Sequence, residues 1–360
     1  MPALDGIRGF GVLAVLAIHF VGVDPAAAGG RGNAGAFLDF LAIALGIPVF
    51  FILSGFLITG ILLESREKPR YFRNFYGRRA LRIFPAYFAV LTVVFVIHPA
   101  WGRAIAGSSS PRWLWTYLTN IEIAHRHRWS YGYLSHFWSL AVEEQYYLIW
   151  PLIVLAFPPR RLLLVCAALA ISSVALRVLL TAGWKNLIGA YVLMPCQLDS
   201  FCIGGALAML VRRVPPPRLR NVARAAILGS LAAYFVLGWY RTRWTSRPQV
   251  VGRPVLCGFL FGGLLILAMN ESGFVARFLS LRPWTFAGKY SYGLYVYHFT
   301  LLPFLAVCFP RAAIGKAVGS RFAGVLASVT LSTIACLLVA IVSYEGFEKR
   351  FLRLKARIAS

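Results

Sequence analysis

The stretch LDGIRGFGVLAVLAIHF (Leu4–Phe20) decides the fold, because it is an apolar run that carries Arg8 near its start and His19 near its end. At about 100° per residue, the eleven steps between the two residues amount to about three turns plus 20°. We therefore predict that both side chains lie on one stripe of a membrane helix, about 16 Å apart along its axis.

The composition of the whole chain agrees with a membrane location. Hydrophobic residues make up 59% of the 360 residues and charged residues only 14%, far from the balance of a soluble domain. We predict an all-α, polytopic membrane helix bundle with about ten transmembrane helices. The apolar stretches long enough to cross a bilayer are 7–23, 36–63, 82–98, 138–157, 162–182, 191–211, 225–240, 254–271, 285–308 and 322–345.

The distribution of basic residues sets the expected orientation. With the N-terminus inside, the connecting segments on the cytoplasmic side carry 21 Lys or Arg and those on the outer side carry 13, as the positive-inside rule requires. Both termini are then cytoplasmic. We expect a multi-pass protein of the cytoplasmic (plasma) membrane, with a single transmembrane domain at 1–345 and a basic cytoplasmic tail at 346–360.

The net charge of +25 would suggest nucleic acid as the partner of a soluble protein. Here the basic residues flank apolar spans, where anionic lipid headgroups meet them, so we expect membrane lipid and no nucleic acid. Two clusters, Arg73–Arg82 and Arg212–Arg220, also suit a phosphorylated cosubstrate, because guanidinium matches phosphate oxygens bidentately. Both interpretations stay open at this stage.

No metal site is expected. The six cysteines form no CxxC pair and lie within or at the ends of the proposed spans, which is typical of small core residues. His125 and His127 lie in a long outer loop without a carboxylate or cysteine at a suitable spacing.

Ionisable residues inside the bilayer are costly and therefore mark candidate functional sites. His19 and the pair Glu143 and Glu144 fall at similar depths, while Asp199 and His298 fall in the outer half or middle of their spans. Imidazole accepts a hydroxyl proton near neutral pH, and a carboxylate on its other nitrogen orients it. We predict that Glu143 orients His19 as a general base; the alternative is a hydrogen-bonded clamp between helices.

Arg8 is expected at the cytoplasmic end of the same stripe. The 16 Å to His19 is comparable to an extended pantetheine arm, so a coenzyme A nucleotide would place its phosphates on Arg8 and the cluster Arg78, Arg79 and Arg82 while its thioester reached His19. The alternative is an arginine that only anchors the helix end.

Five ordered motifs carry a family resemblance. They are LDGIRGFGVLAVLAIHF, PVFFILSGFLITGILL, FYGRRALRIFPAYF, FWSLAVEEQYYLIWP and SYGLYVYHF. In this order they closely resemble the membrane acyltransferase-3 family over about residues 3–300, with Ala141 and Tyr146 where the family often has Ser and Phe. The resemblance implies a bundle of about ten helices, activity that needs Arg8 and His19, and an important Glu143.

The resemblance also implies a function. The expected enzyme is an integral-membrane O-acyltransferase that moves an acyl group, usually acetyl, from acyl-CoA to a hydroxyl of a sugar, glycolipid, polysaccharide or glycosylated natural product. Some members carry a fused extracytoplasmic hydrolase-like domain, and we expect none here. In direct transfer, Ser54 and Tyr297 are candidate oxyanion donors, and Glu144, Asp199 and His298 are candidate substrate contacts.

Other interpretations of the same residues remain. A covalent acyl-enzyme is the mechanistic rival. Ser54 beside Gly55 also suits close packing between helices. His298 also suits a polar contact between helices. A proton-coupled transporter of a small molecule or glycan precursor would bury the same residue types, and a noncatalytic glycan-binding protein would not need Arg8 and His19 on one stripe.

Overall fold

A computed structural model describes residues 1–22, 46–107, 109–239 and 247–355, and within these ranges the chain is helical with no β-strand. The predicted all-α class is confirmed. The helices are α1 (Pro2–Gly22), α2 (Pro48–Ser65), α3 (Tyr71–Thr92), α4 (Pro99–Ile105), α5 (Arg112–Trp115), α6 (Thr119–Arg126), α7 (Trp138–Ala156), α8 (Pro159–Ala182), α9 (Leu187–Val192), α10 (Leu198–Leu210), α11 (Pro216–Trp239), α12 (Arg247–Ala268), α13 (Phe274–Leu279), α14 (Arg282–Lys289), α15 (Ser291–His298), α16 (Leu302–Cys308), α17 (Arg311–Ala317), α18 (Arg321–Ser343) and α19 (Lys349–Arg353).

Six helical stretches in the described residues are long and apolar enough to cross a membrane. They are Pro2–Val21, Pro48–Ser65, Tyr71–Ile97, Pro159–Ala182, Arg247–Ala268 and Arg321–Arg353. Ser291–His298 together with Leu302–Ala317 makes a seventh, bent by 79° at the break between them. Ten spans and cytoplasmic termini remain predictions.

Several predicted spans differ from the helices observed. The span 191–211 is divided at a 3-10 turn, Met194–Gln197, which contains a proline, and 285–308 is divided into three short helices. The start of 36–63 lies outside the described residues, and its helix begins at Pro48, a favoured first position because proline needs no N–H partner there. The basic cluster Arg73–Arg82, predicted in a loop, is helical because α3 begins at Tyr71.

Glycines bring the helices around the candidate site into backbone contact. A Cβ atom on Gly55 of α2 would lie 2.1 Å from the carbonyl oxygen of Phe201, and one on Gly204 of α10 would lie 2.0 Å from that of Ile52. Small residues allow such close crossings in membranes. The predicted packing role therefore belongs to Gly55, while its neighbour Ser54 is free for another contact.

The first helix is held in the same way. A Cβ on Gly9 would lie 1.9 Å from the carbonyl oxygen of Trp284, on α14. On the apolar face of α1, Val12, Leu16 and Phe20 are almost completely buried in the main core. This packing fixes the rotation of α1, and with it the stripe that carries Arg8 and His19.

Candidate active site

A cavity opens into the bundle among α1, α2, α3, α7 and α15. It encloses about 820 Å³, including its open end, which is in the range of small-molecule sites. Its lining combines three arginines, seven hydroxyl or carboxyl side chains and an apolar wall. The residues are Arg8, Ile47, Phe50, Phe51, Leu53, Ser54, Leu57, Ile58, Arg79, Arg82, Ile83, Ser139, Leu140, Glu143, Tyr147, Ser291, Tyr292 and Tyr295.

Positive charge is concentrated in this cavity, because Arg8, Arg79 and Arg82 line it and lie close enough to interact electrostatically with one another. We call these three residues the arginine mouth. Arg8 is additionally held by Asp5, with Nη1 and Oδ1 2.6 Å apart. The predicted cluster is thus brought together except for Arg78, which is exposed on α3 and does not line the cavity.

A fourth basic group adds to the arginine mouth from the end of the chain. The helix α19 packs against α3, and Lys355 follows it. Partial burial, together with the charges of Arg82, Arg79 and Arg78, lowers the pKa of Lys355 to about 8. Lys355 belongs to the predicted basic tail, for which the sequence indicates no role, because its proximity to the arginines depends on tertiary packing.

The middle of the cavity carries Glu143. Its Oε1 accepts a 2.9 Å hydrogen bond from the hydroxyl of Ser54, which lies 3.0 Å from the hydroxyl of Tyr147. The guanidinium of Arg79 lies over the Tyr147 ring, 5.4 Å from its centroid. Ser54, Glu143 and Tyr147 therefore form one polar group just inside the arginine mouth.

His19 pairs with another histidine. Its Nδ1 lies 2.9 Å from Nε2 of His298, and Nδ1 of His298 lies 2.7 Å from the carbonyl oxygen of Tyr295. The ring of Phe299 packs against that of His19 at an interplanar angle of 46°, with the ring centroids 4.7 Å apart. The predicted pairing of His19 with Glu143 is wrong for this structure, in which the two side chains have different partners.

The error in that pairing has a physical cause. The prediction assumes that the helix carrying Glu143 begins at the outer surface at Trp138, but the preceding 3-10 helix Gly132–Phe137 is itself largely buried. Helix α7 therefore begins inside the protein, and a depth counted from Trp138 does not give the level of Glu143 in the bundle.

The residue of this segment that reaches the histidine pair is His136, which the sequence analysis missed. Its ring centroid lies 5.1 Å from that of His298, and its Nε2 lies 3.3 Å from the carbonyl oxygen of Val296. His136 stands seven positions before Glu143, in a stretch predicted as outer loop. The available signal was a histidine directly adjoining a motif with buried carboxylates.

Tyr295 and Ser139 lie between the cavity and the three histidines. Both line the cavity, their hydroxyls are 2.5 Å apart, and Tyr295 donates a 2.9 Å hydrogen bond to the carbonyl oxygen of His136. The rings of Tyr295 and His298 are 5.4 Å apart. The histidines themselves do not line the cavity, and Ser139 and Tyr295 connect its wall to His136 through the carbonyl oxygen of that residue.

Three predicted substrate contacts lie elsewhere. Asp199 is buried in an ion pair with Arg177, with Oδ2 and Nη2 2.6 Å apart, which joins α10 to α8. Tyr297 shares a 2.6 Å hydrogen bond with Ser343. Glu144 is outside the cavity lining, and within the described residues its buried Oε1 has no hydrogen-bond partner. Asp199 and Tyr297 therefore connect helices to one another and do not line the cavity.

Within the described residues, no three His, Cys, Asp or Glu side chains are grouped as a metal site. The three histidines instead bond to one another or to backbone carbonyl oxygens.

Comparison with known proteins identifies relatives across most of the chain. The family described as "Acyltransferase domain" matches residues 1–345. The O-acetyltransferase OatA of Staphylococcus aureus is 26% identical over 332 residues, which cover 85% of this chain and 51% of that protein. The peptidoglycan O-acetyltransferase OatA of Listeria monocytogenes is 25% identical over 327 residues, covering 84% of this chain and 49% of the relative.

A third relative is the putative peptidoglycan O-acetyltransferase YrhL of Bacillus subtilis, 27% identical over 377 residues, which cover 97% of this chain and 54% of that protein. The chain spans about half the length of the curated relatives that it matches. No solved structure matches it.

Proposed function

The chain belongs to the acyltransferase family that its motifs resemble, and from that premise we propose that it transfers an acetyl group from acetyl-CoA to a hydroxyl of a cell-envelope glycan. It is a multi-pass integral membrane protein. The observation that carries the proposal is the cavity itself, which runs from the arginine mouth to the Tyr295 and Ser139 hydroxyls beside the histidines.

The charge of the cavity supports a phosphorylated donor. Arg8, Arg79 and Arg82 line it together, and guanidinium groups bind phosphate through paired, charge-assisted hydrogen bonds. Arg78 and Lys355 lie outside the lining on the same side, where they would meet the solvent-exposed phosphates of a nucleotide. A diphosphate with a further phosphate, as in coenzyme A, offers enough negative charge for this set.

The length of the path suits the rest of coenzyme A. Arg8 and His19 are eleven residues apart on α1, which corresponds to about 16 Å, and an extended pantetheine arm is of similar length. Its two amide groups would pass Ser54, Glu143 and Tyr147, which offer hydrogen-bond donors and acceptors. In this proposal Glu143 binds the donor and does not orient the base.

His19 is the proposed general base. It removes the proton from the acceptor hydroxyl as the oxygen attacks the thioester carbonyl carbon, and the new C–O bond gives a tetrahedral oxyanion. Collapse of this intermediate breaks the C–S bond, and the thiolate of coenzyme A takes the proton back from His19. The Ser139 hydroxyl, which lines the cavity beside Tyr295 and can turn toward it, is the proposed donor to the oxyanion.

The acceptor is proposed from the relatives. The Listeria monocytogenes relative is named a peptidoglycan O-acetyltransferase, so a peptidoglycan sugar hydroxyl is the first acceptor to test for this chain. His19 stands near the C-terminal end of α1, which the positive-inside rule places outside. An acceptor from the outer side would then meet a donor from the cytoplasmic side.

The test compares ester-linked acetyl groups on envelope glycans by mass spectrometry. Cells would carry the wild-type protein, His19→Ala, or no copy. We expect acetyl esters only with the wild type, and vesicles containing the purified protein should transfer label from isotopically labelled acetyl-CoA to the same glycan. Equal ester profiles in all three cell lines, with no transfer in vesicles, would contradict the proposal.

A further inference from the structure

The pairing of His19 with His298 carries an inference beyond the proposed reaction. We infer that His298 is a positioning residue that holds His19 in the tautomer whose Nε2 is bare and ready to take the acceptor proton. The inference rests on the proposed function only in giving His19 the part of general base. The tautomer itself is a property of the protein without substrate.

Three hydrogen-bonding groups, the Tyr295 carbonyl and the rings of His298 and His19, fix the positions of the ring protons. The carbonyl oxygen of Tyr295 can only accept, so the 2.7 Å contact places a proton on Nδ1 of His298. A neutral imidazole with its proton on Nδ1 has its lone pair on Nε2. Since Nε2 of His298 is 2.9 Å from Nδ1 of His19, His19 must donate from Nδ1 in this contact, and the carbonyl oxygen of Val15, one turn earlier on α1, is a second hydrogen-bond partner of the His19 ring. Its own Nε2 is therefore left with the lone pair.

The break after α15 leaves the carbonyl oxygen of Tyr295 available to accept from Nδ1 of His298. The last four carbonyl groups of a helix lack the usual partner four residues on, and α15 ends at His298, where the path bends by 79°. Side chains take up these carbonyls: His298 binds that of Tyr295, while Thr300 and His136 bind that of Val296. The bend in the predicted span is thus what fixes the orientation of the His298 ring.

A neutral partner also differs chemically from the predicted carboxylate. A carboxylate would add a second buried charge at membrane depth, which is costly, and would stabilise the imidazolium. A neutral ring with a fixed tautomer orients His19 at a smaller cost. His298 then acts through His19 and needs no contact with acceptor or donor.

The experiment measures the tautomer directly. Solid-state NMR of protein labelled with ¹⁵N-histidine in lipid bilayers distinguishes a protonated ring nitrogen from a bare one, and His19→Gln identifies the His19 signals. We expect a protonated Nδ1 and a bare Nε2 in the wild type. His298→Phe removes one acceptor of the His19 ring and leaves the carbonyl oxygen of Val15, so it should raise the share of the other tautomer, whereas His298→Gln keeps an acceptor oxygen near the position of Nε2.

Kinetics provide the second readout. His298→Phe should lower kcat on the order of 100-fold, a typical contribution of a positioned base, with the KM for acetyl-CoA nearly unchanged. His298→Gln should recover most of the lost rate. Thr333→Val is the matched control, because it removes a hydrogen bond from a hydroxyl to the carbonyl oxygen four residues earlier, on α18 and not at the break after α15, and it should keep the wild-type spectrum and kcat.

Distinct outcomes separate the two proposals. A proton on Nε2 of His19 in the wild type, or a His298→Phe enzyme with wild-type spectrum and kcat, overturns the inference. If His298→Phe does not fold, His298→Gln decides: a rate as low as that of His19→Gln overturns it. A wild type with the expected tautomer but no transfer from acetyl-CoA would contradict the proposed function and leave the positioning of His19 supported.

Discussion

The hydroxyl of Ser54 donates a 2.9 Å hydrogen bond to Oε1 of Glu143. This contact ties the carboxylate to the wall of the cavity, next to Tyr147 and the arginine mouth, and separates it from His19. Under the proposed function, the two residues that the motifs single out as important serve different steps: Glu143 contributes to binding the donor, and His19 to the transfer of the proton.

This separation predicts unequal kinetic effects. Glu143→Gln keeps the shape of the side chain but removes its charge, so we expect a severalfold rise in the KM for acetyl-CoA and a kcat within about tenfold of wild type. His19→Gln should instead lower kcat on the order of 10²- to 10⁴-fold. The exposed His125 provides the matched control, since His125→Gln should be neutral. Steady-state kinetics in vesicles measure all three; equal kcat losses for Glu143→Gln and His19→Gln would contradict the division of roles.

The arginine mouth predicts a loss confined to donor binding. Arg82→Gln removes one phosphate contact, and a charge-assisted hydrogen bond contributes about 1.5–3 kcal/mol, so the KM for acetyl-CoA should rise about tenfold or more while kcat stays nearly constant. Arg161→Gln, on an exposed residue outside the cavity lining, is the control and should leave KM unchanged. Donor titrations at low and high salt test this. An Arg82→Gln enzyme with wild-type KM would exclude Arg82 from the donor site.

Lys355 predicts a pH dependence of donor binding. Partial burial and the nearby arginines lower its pKa to about 8, so it is mostly charged at pH 7 and mostly neutral at pH 9. Donor affinity should fall as the pH rises through 8, by about two- to fivefold, the size of a partly exposed ion pair. Lys355→Arg stays charged, so its KM for acetyl-CoA should not rise in this pH range. The KM of Lys355→Met should be high at every pH.

The ratio of variant to wild-type KM, measured across pH, tests this prediction. A ratio for Lys355→Met that does not change with pH would contradict a role of the Lys355 charge.

The buried pair of Asp199 and Arg177 predicts an effect on stability in place of substrate binding. Asp199→Asn leaves the guanidinium without its counter-charge, which typically lowers the free energy of unfolding by on the order of 3–5 kcal/mol. The double variant Arg177→Met/Asp199→Leu should recover most of this loss. Thermal unfolding in detergent compares the three proteins. A raised KM with unchanged stability in Asp199→Asn would instead return Asp199 to the substrate site.

Much of the bundle could be predicted from the sequence because its signals are local. The 3.6-residue period places Arg8 and His19 on one stripe of α1, and runs of apolar residues mark most of the long helices. The arginine cluster on α3 was visible as charge beside an apolar span. Each of these inferences needs only neighbouring residues and the known geometry of a helix.

The partners of the site residues could not be predicted in this way. That His19 meets His298, 279 positions away, depends on where α15 ends and on how deep α7 begins. The sequence does not show the depth of Glu143, because the buried 3-10 helix Gly132–Phe137 before α7 is too short to be recognised as part of a membrane span. Asp199 and Tyr297 show the same limit, since burial alone does not distinguish a ligand contact from an ion pair or a hydrogen bond between helices.

The inner end of the cavity predicts selectivity for short acyl groups. Phe50 and Tyr295 line the cavity with ring centroids 6.4 Å apart, and in the proposed function the acyl group of a bound donor lies beside Tyr295, whose ring centroid is 5.4 Å from that of His298. Since each extra methylene that a pocket cannot hold typically changes discrimination by about 10- to 200-fold, acetyl-CoA should be strongly preferred over butyryl-CoA.

Phe50→Ala opens space at this end for a longer chain and should reduce that preference at least tenfold. Leu57→Ala is the matched control, because Leu57 lines the same cavity two turns further along α2, where the pantetheine arm would pass; it should change the KM for both donors equally. The measurement is kcat/KM for acetyl-, propionyl- and butyryl-CoA with one acceptor. A Phe50→Ala enzyme that transfers acetyl with the wild-type preference would place the acyl group elsewhere, because removing a ring that bounds its site cannot leave the discrimination between chain lengths unchanged.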